Sequence, residues 1–104
     1  MVLLVVKCNV HPDKLEAYTK WTEGAIKSTV AAPGVVEFRA YRPATGDSQV
    51  VTTYEFADFS AWAAWYVAKD VQRIFSEMHT VAVDIDVDLW GPSPLVPAPI
   101  RPHQ

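Results

Sequence analysis

Segments with the hydrophobic period of an α-helix and segments with the period of a β-strand follow one another along this chain in an order that is compatible with few folds. Two long segments repeat apolar residues near the 3.6-residue period of an α-helix, from Asp13 to Pro33 and from Asp58, a candidate N-cap, to Thr80. Four other segments are continuously apolar or alternate at every second position, as β-strands do. These four segments are residues 2–10, 35–42, 49–56 and 83–90. The predicted element order is therefore βαββαβ.

This order predicts a four-stranded antiparallel sheet with both helices on one face, because the connections between strands are right-handed. The fold class is α+β, a ferredoxin-like sandwich that occupies residues 1–91. Prolines recur through residues 92–104, which can form neither a helix nor a central strand and are expected to be an extended arm. The second face of the sheet lacks a covering layer, so we expect a partner subunit to cover it.

The last predicted strand, VDIDVDLW, carries an acid at every second position. These acids are Asp84, Asp86 and Asp88. A calcium loop of the EF-hand type that begins at Asp84 would need glycine at position 6 and glutamate at position 12, and this chain has leucine at both. The intervening apolar residues predict instead a half-buried strand in which Asp86 pairs with Lys7 of the first strand. These apolar residues are Val83, Ile85, Val87 and Leu89.

The composition excludes several classes of protein. A net charge of −3 with scattered Lys and Arg argues against nucleic acid and anionic membranes as partners. The single cysteine, Cys8, excludes an internal disulfide framework and a cysteine-based zinc cluster, and no metal site is expected. MVLLVV lacks the basic region and cleavage site of a signal peptide, and no apolar run approaches the roughly 18 residues of a membrane span. We therefore expect a soluble cytoplasmic protein.

The second predicted helix carries tryptophans on a face that simple amphipathicity would expose. If the helix is continuous, one stripe faces the sheet. That stripe comprises Val67, Val71, Ile74, Met78 and Val81. Trp62, Trp65 and His79 lie on the opposite side, where the indoles would either be covered by a partner subunit or roof a ligand cavity. The sequence leaves both interpretations open.

Two stretches of the chain carry a family resemblance. APGVVEFRAYRP resembles the helix end and basic second strand of the antibiotic biosynthesis monooxygenase family, the dimeric α/β-barrel proteins. VVTTYEFADFSAW is similar to that family's third strand and the start of its second helix. The resemblance implies a homodimer, or a higher homo-oligomer, in which two sheets face each other. It also implies a cofactor-independent monooxygenase that acts with O₂ on an aromatic or polyketide-like small molecule.

Two alternatives stay open under this resemblance. The same fold also serves as a non-catalytic ligand-binding or dimerisation module. The haem-degrading branch of the family uses an asparagine, a tryptophan and an axial histidine, for which Asn9, Trp62 (with Trp65 as a rival) and His79 are the matches. Along an uninterrupted helix His79 would lie about 25 Å from Trp62 and about 21 Å from Trp65. Haem is therefore the less favoured alternative, and no cofactor is expected.

Five residues are candidates for the chemistry. Glu55 and His11 could abstract a proton from the substrate, and Arg39, Tyr54 and Asn9 could hydrogen-bond to a phenol or an oxyanion. Asn9 and His11 share a strand face at the first turn and could converge on one pocket. Arg39 and Glu55 could instead form a cross-strand ion pair. The residues expected to bind a small hydrophobic or aromatic ligand are Trp62, Trp65 and His79.

Overall fold

The predicted element order is confirmed by a computed structural model that describes residues 1–103 of the 104-residue chain. The strands are β1 (Val2–Val10), β2 (Glu37–Tyr41), β3 (Val50–Phe56) and β4 (Ala82–Trp90). The helices are α1 (Leu15–Ala31), α2 (Phe59–Tyr66) and α3 (Lys69–Met78). The predicted arm contains no helix or strand from residue 92 to residue 103, and its last residue, Gln104, lies outside the described residues. Within residues 1–103, no helix combines the length and the apolar character that a membrane span needs.

The four strands form one antiparallel sheet in the order β2-β3-β1-β4. Lys7 of β1 and Asp86 of β4 are strand partners, as expected for the predicted pairing. Alternate residues of β1 lie in the hydrophobic core beneath the helices. These residues are Val2, Leu4, Val6 and Cys8. The chain thus has the predicted ferredoxin-like α+β fold, with helices on one face of the sheet. Within residues 1–103 no helix or strand covers the other face, which is called the open face below.

The second predicted helix is interrupted at Val67 and Ala68, so the prediction of one continuous helix was wrong. The nine residues from Trp65 to Ile74 would place these two side chains about 180° apart on a straight helix. They could not both face the sheet. The interruption re-orients the chain and buries both of them, while Val67, predicted for the core stripe, is 71% exposed.

Side-chain hydrogen bonds fix both ends of α2. Asp58 is the N-cap, as predicted, and its carboxylate accepts a hydrogen bond from the backbone N–H of Ala61 at 2.8 Å. At the other end, the amide of Gln72 on α3 donates to the backbone carbonyl of Tyr66. This bond satisfies a carbonyl that the end of the helix leaves without an intrahelical partner.

A bulge at Asp84 interrupts the alternation of β4. Asn9 pairs with Val83, so β4 holds one more residue than β1 between this pair and the next. Asp84 has a left-handed backbone (φ 54°), and its carboxylate accepts a hydrogen bond from Asn9 Nδ2 at 3.0 Å. Ala82 is buried in the core, and Val83 takes the opposite side of the strand. The strict alternation predicted from residue 83 onward was therefore wrong at its first residue.

Candidate functional site

A cavity of about 110 Å³ lies between the helix-covered face of the sheet and helices α1 and α3. Strands β1, β2 and β3 form its floor. Its aromatic lining residues are Tyr18, Trp21, Phe38, Tyr54 and Phe75. Ala40 is an exposed member of the wall, so the cavity meets solvent at the edge strand β2. A largely apolar space with a few polar groups is typical of small-molecule sites.

The residues that line the cavity recur along α1 at the period of a helix and along β3 at the period of a strand. On α1 the lining positions recur at helical spacing and therefore share one face of the helix. These positions are Tyr18, Trp21, Thr22, Ala25 and Ile26. On β3 every second residue from Val50 to Tyr54 lines the floor, because successive side chains of a strand point to opposite faces.

Several polar groups in the cavity wall are engaged within the protein. The Tyr54 hydroxyl donates to Thr29 Oγ1 at 3.1 Å, and the Trp21 indole donates to Glu77 Oε1 at 3.0 Å. The Thr22 hydroxyl donates to the backbone carbonyl one helical turn earlier, at 2.7 Å. These groups already use their donor hydrogens, so they have little capacity to donate to a ligand.

The hydroxyl of Tyr18 has weaker partners, since it lies beside the thiol of Cys8 and the hydroxyl of Thr22. Burial raises the pKa of Tyr18, and the nearby thiol adds to that rise. Burial also raises the pKa of Cys8, although the contact with Tyr18 opposes this effect. Both groups are therefore protonated at neutral pH and can donate hydrogen bonds into the cavity.

The structure separates the five residues predicted to carry the chemistry into three places. Of these five, Tyr54 alone lines the cavity. Arg39 and Glu55 lie on the open face of the sheet, where they line a groove of about 440 Å³. Asn9 and His11 lie at the end of β1, away from both spaces. These five residues therefore do not form one catalytic cluster within a single chain.

The ionic contacts of the open face differ from the expected cross-strand pair. Arg39 forms an ion pair with Glu37, two residues away on the same strand. The strand partner of Arg39 is Thr53, and Glu55 lies opposite Glu37. The prediction of an Arg39–Glu55 pair was therefore wrong.

Asn9 and His11 make hydrogen bonds that fix the end of the sheet. The side-chain oxygen Oδ1 of Asn9 accepts a hydrogen bond from the backbone N–H of Gln49 at 2.7 Å, and its side-chain Nδ2 donates to the carboxylate of Asp84 at 3.0 Å. His11 Nδ1 accepts from the backbone N–H of Asp13 at 3.2 Å. The Asn9 side chain thus ties β1 to the strands on both sides of it, and these contacts support a structural role.

The three residues predicted to bind the ligand are dispersed, and none of them lines the cavity. Trp65 is 1% exposed and donates to the backbone carbonyl of Thr29 at 2.9 Å. Trp62 is half-buried and stacks on Tyr66, and its buried Nε1 has no hydrogen-bond partner within residues 1–103. His79 is exposed beyond the end of α3. Because the helix is interrupted, the straight-helix distances that disfavoured haem do not apply, and the haem alternative stays a prediction.

Sequence reasoning missed most of the cavity wall. A signal was present in α1, where Tyr18, Thr22 and Ile26 recur at helical period and include an aromatic residue. That pattern was interpreted only as evidence of a helix. The contributions of Phe38 and Phe75 carry no local signal, because their positions depend on how the sheet and α3 pack.

Glu77 links α1 to α3 beside the cavity. Its carboxylate accepts the indole N–H of Trp21 and an N–H of Arg73, at 3.0 and 3.1 Å. These interactions, that with Trp21 first, lower the pKa of Glu77 below its ordinary value of 4.5. A pKa that is lower in the folded state than in the unfolded state stabilises the fold at neutral pH. That stabilisation is lost as the pH falls through the folded-state value.

Glu77→Gln is therefore expected to lower the free energy of unfolding at pH 7 and to have less effect at about pH 3. Urea denaturation followed by circular dichroism between these two pH values would measure the difference. Glu23→Gln makes the same change at an exposed position on α1 and is the matched control. A loss that is the same at every pH would contradict the assignment.

The comparisons with known proteins identify the family and the fold. The sequence model for "Antibiotic biosynthesis monooxygenase" matches residues 1–76. None of the curated proteins matches the chain. Within residues 1–103, no group of three or more His, Cys, Asp or Glu side chains is arranged to hold a metal ion.

Three solved structures illustrate the likeness in fold. Rv0793 from Mycobacterium tuberculosis is 16% identical, with a TM-score of 0.72, over 88% of this chain and 94% of that protein. A dabb family protein with a ferredoxin-like fold from Mesorhizobium loti is 18% identical, with a TM-score of 0.78, over 88% and 96%. SnoaB, a cofactor-independent oxygenase from Streptomyces nogalater, is 16% identical, with a TM-score of 0.68, over 88% and 92%. At these identities the likeness concerns the fold.

The family match covers 76 of the 104 residues and extends from β1 into α3. It includes both stretches on which the resemblance was based, so that prediction is confirmed. The chain belongs to the antibiotic biosynthesis monooxygenase family.

Proposed function

We propose that this protein is a cofactor-independent monooxygenase that oxidises a small phenolic ring with O₂ in the cavity between the sheet and helices α1 and α3. The observation that carries the proposal is an aromatic-lined, largely apolar cavity that opens to solvent at Ala40. Membership of the monooxygenase family supports the class of reaction. Independence of a cofactor is described for SnoaB, and we extend it to this chain as part of the proposal.

The proposed reaction needs only the substrate and O₂. A phenol with a free para position loses its hydroxyl proton to water, and the electron-rich para carbon reacts with O₂. A C–O bond forms and gives a hydroperoxide, from which loss of water leaves a quinone carbonyl. One oxygen atom of O₂ ends in the quinone and the other in water. The substrate supplies all four electrons, so no external reductant is consumed.

The contribution of the protein would be orientation and exclusion of water. Among the described residues, the cavity wall contains no carboxylate, imidazole or amine. The substrate therefore loses its proton to water before it enters the cavity, rather than to a side-chain base within it. On this basis the rate should increase with pH as the phenol of the substrate ionises.

The size of the cavity restricts the substrate. An apolar cavity of roughly 150 Å³ accommodates benzene, and the cavity here is about 110 Å³. One aromatic ring would more than fill it, so the outer part of that ring, and any second ring, would lie in the mouth at Ala40. A monocyclic phenol or a naphthol therefore fits better than a larger fused polycycle.

Ala40→Trp is expected to reduce quinone formation from 1-naphthol by about tenfold or more, since the indole would obstruct the mouth. The measurements are O₂ uptake, quinone absorbance and incorporation of ¹⁸O from labelled O₂. Ala63→Trp introduces the same side chain at an exposed position of α2 outside the cavity wall and is the matched control. Equal rates for the two variants would reject the cavity as the site, and no O₂-dependent product from the wild-type protein would reject the activity.

A non-catalytic ligand-binding role is the second candidate. It is favoured by the same absence of an acid or a base from the cavity wall within residues 1–103. Recovery of bound 1-naphthol unchanged after incubation with O₂ would support this role over catalysis.

We also propose that the protein is a homodimer in which the open faces of two sheets pack together. The described helices lie on the other face of the sheet. On the open face Tyr41 and Trp90 are 49% and 50% exposed, and Leu3 and Val51 are half-buried. Burial of such apolar surface against a second copy favours association.

A further inference from the structure

We infer that the hydroxyl of Tyr18 binds the phenolic oxygen of the substrate and thereby selects ring compounds that carry an oxygen at their inner end. This inference rests on the proposed function and adds a residue that determines specificity. It assigns a ligand contact to a residue of α1.

The Tyr18 hydroxyl and the Cys8 thiol lie toward the inner side of the cavity, whereas Thr52, the strand partner of Ala40, lies at its mouth. Ala40 is on the edge strand β2, and Cys8, beside Tyr18, is on β1, with β3 between them. Two strand spacings separate β2 from β1, which is about 10 Å. A ring that enters at Ala40 would therefore reach Tyr18 with its leading end, and an oxygen atom at that end would be the first group to meet the hydroxyl.

Other polar side chains in the wall are poorer donors for this purpose. The donors of Tyr54, Trp21 and Thr22 are engaged with Thr29, with Glu77 and with a backbone carbonyl of α1. The thiol of Cys8 is a weak donor. The Tyr18 hydroxyl contacts the Cys8 thiol and the Thr22 hydroxyl. A thiol is a weak acceptor, so exchanging it for a ligand oxygen would cost little. The hydroxyl of Thr52 lies at the mouth, opposite Ala40, and would meet the trailing end of the ring instead.

The apolar surroundings make this one hydrogen bond important. A phenol or phenolate oxygen placed in the cavity loses its water and is destabilised unless a donor replaces that water. An O–H donor to an ionised oxygen forms a short and strong bond. Burial keeps Tyr18 protonated at neutral pH, so the donor is available when the phenol of the substrate is ionised. A ligand without the oxygen gains nothing from Tyr18 and leaves the hydroxyl with its weak partners.

The test compares 1-naphthol with naphthalene, which has the same rings and no oxygen, in the absence of O₂ so that no turnover occurs. Binding is measured by quenching of tryptophan fluorescence for the wild-type protein, Tyr18→Phe and Tyr41→Phe. The last variant removes a hydroxyl from the open face and is the matched control. We expect Tyr18→Phe to weaken 1-naphthol binding by about tenfold or more and to leave naphthalene binding unchanged, which also shows that the cavity is intact.

The outcomes distinguish this inference from the proposed function. If Tyr18→Phe keeps the wild-type preference for 1-naphthol, the inference is overturned while the cavity stands as the substrate site. If Tyr18→Phe weakens both compounds equally, Tyr18 acts through packing and the inference is again overturned. If neither compound binds to the wild-type protein, the inference and the proposed site fail together.

Discussion

Trp65→Ala is expected to lower the free energy of unfolding by about 3–5 kcal/mol, the range for removal of a buried tryptophan from a core. Trp65 is 1% exposed and packs against the rings of Tyr54, Phe56 and Phe75. Its indole also donates to the backbone carbonyl of Thr29, which the substitution would leave unpaired. Because small domains are stable by only about 5–15 kcal/mol, the variant should be close to unfolding at ordinary temperature.

Urea denaturation at a fixed protein concentration would measure this loss. Val67→Ala, two residues along the chain and 71% exposed, is the control and should change the free energy by no more than about 0.5 kcal/mol. Trp65→Phe should fall between the two, since it keeps an aromatic ring and loses the hydrogen bond. A loss below about 1 kcal/mol for Trp65→Ala would show that Trp65 is not the centre of the core.

Thr53→Lys is expected to raise the dissociation constant of the proposed homodimer by about 100-fold or more. Thr53 lies in the middle of the open face, between its strand partners Val5 and Arg39. An ammonium group placed there would be buried between two sheets beside the guanidinium of Arg39, and the burial of this additional charge costs several kcal/mol. Each 1.4 kcal/mol corresponds to about a tenfold change in the dissociation constant.

Sedimentation equilibrium at micromolar protein would test this expectation. Thr45→Lys makes the same chemical change in the exposed turn between β2 and β3 and should leave the dissociation constant unchanged. A wild-type protein that sediments as a monomer, or a Thr53→Lys variant with the wild-type dissociation constant, would remove the proposal that the open faces pack together.

The parts of the fold that depend on local patterns were predictable from the sequence. β1 has the predicted bounds, and Asp58 caps α2 through its own side chain. The pairing of Lys7 with Asp86 followed from the strand order and from the shared side of the two residues. Each of these features is determined by neighbours in sequence or by a pairing that the element order already specifies.

The errors concern features that depend on tertiary packing. Trp65 and Ile74 are both apolar, and a continuous helix would bury one of them at most; only the packed core shows that the chain breaks to bury both. The bulge at Asp84 leaves no sign in the sequence, where apolar and acidic residues alternate regularly through this segment. A bulge shifts the register of pairing with the neighbouring strand but does not change the order of residue types.

The candidate site was less predictable than the fold. The cavity wall combines residues from β1, α1, β2, β3 and α3. Tyr18 and Phe75, for example, are far apart in the sequence but line the same cavity. Single-residue reasoning favoured polar groups such as Glu55 and His11, which are natural acids and bases. The wall instead consists mainly of apolar and aromatic groups, whose contribution to binding depends on shape and has no signature in residue type.

The interruption at Val67 and Ala68 gives the two helices that follow β3 separate attachments to the sheet. α2 is held by Trp65, whereas the ten-residue α3 supplies Phe75 and two neighbours to the cavity wall. Because the ring of Phe75 also packs edge-on against Trp65, the cavity and the tryptophan-centred core share one wall. A smaller residue at position 75 would therefore enlarge the chamber for bulkier rings only at the expense of a contact within the core.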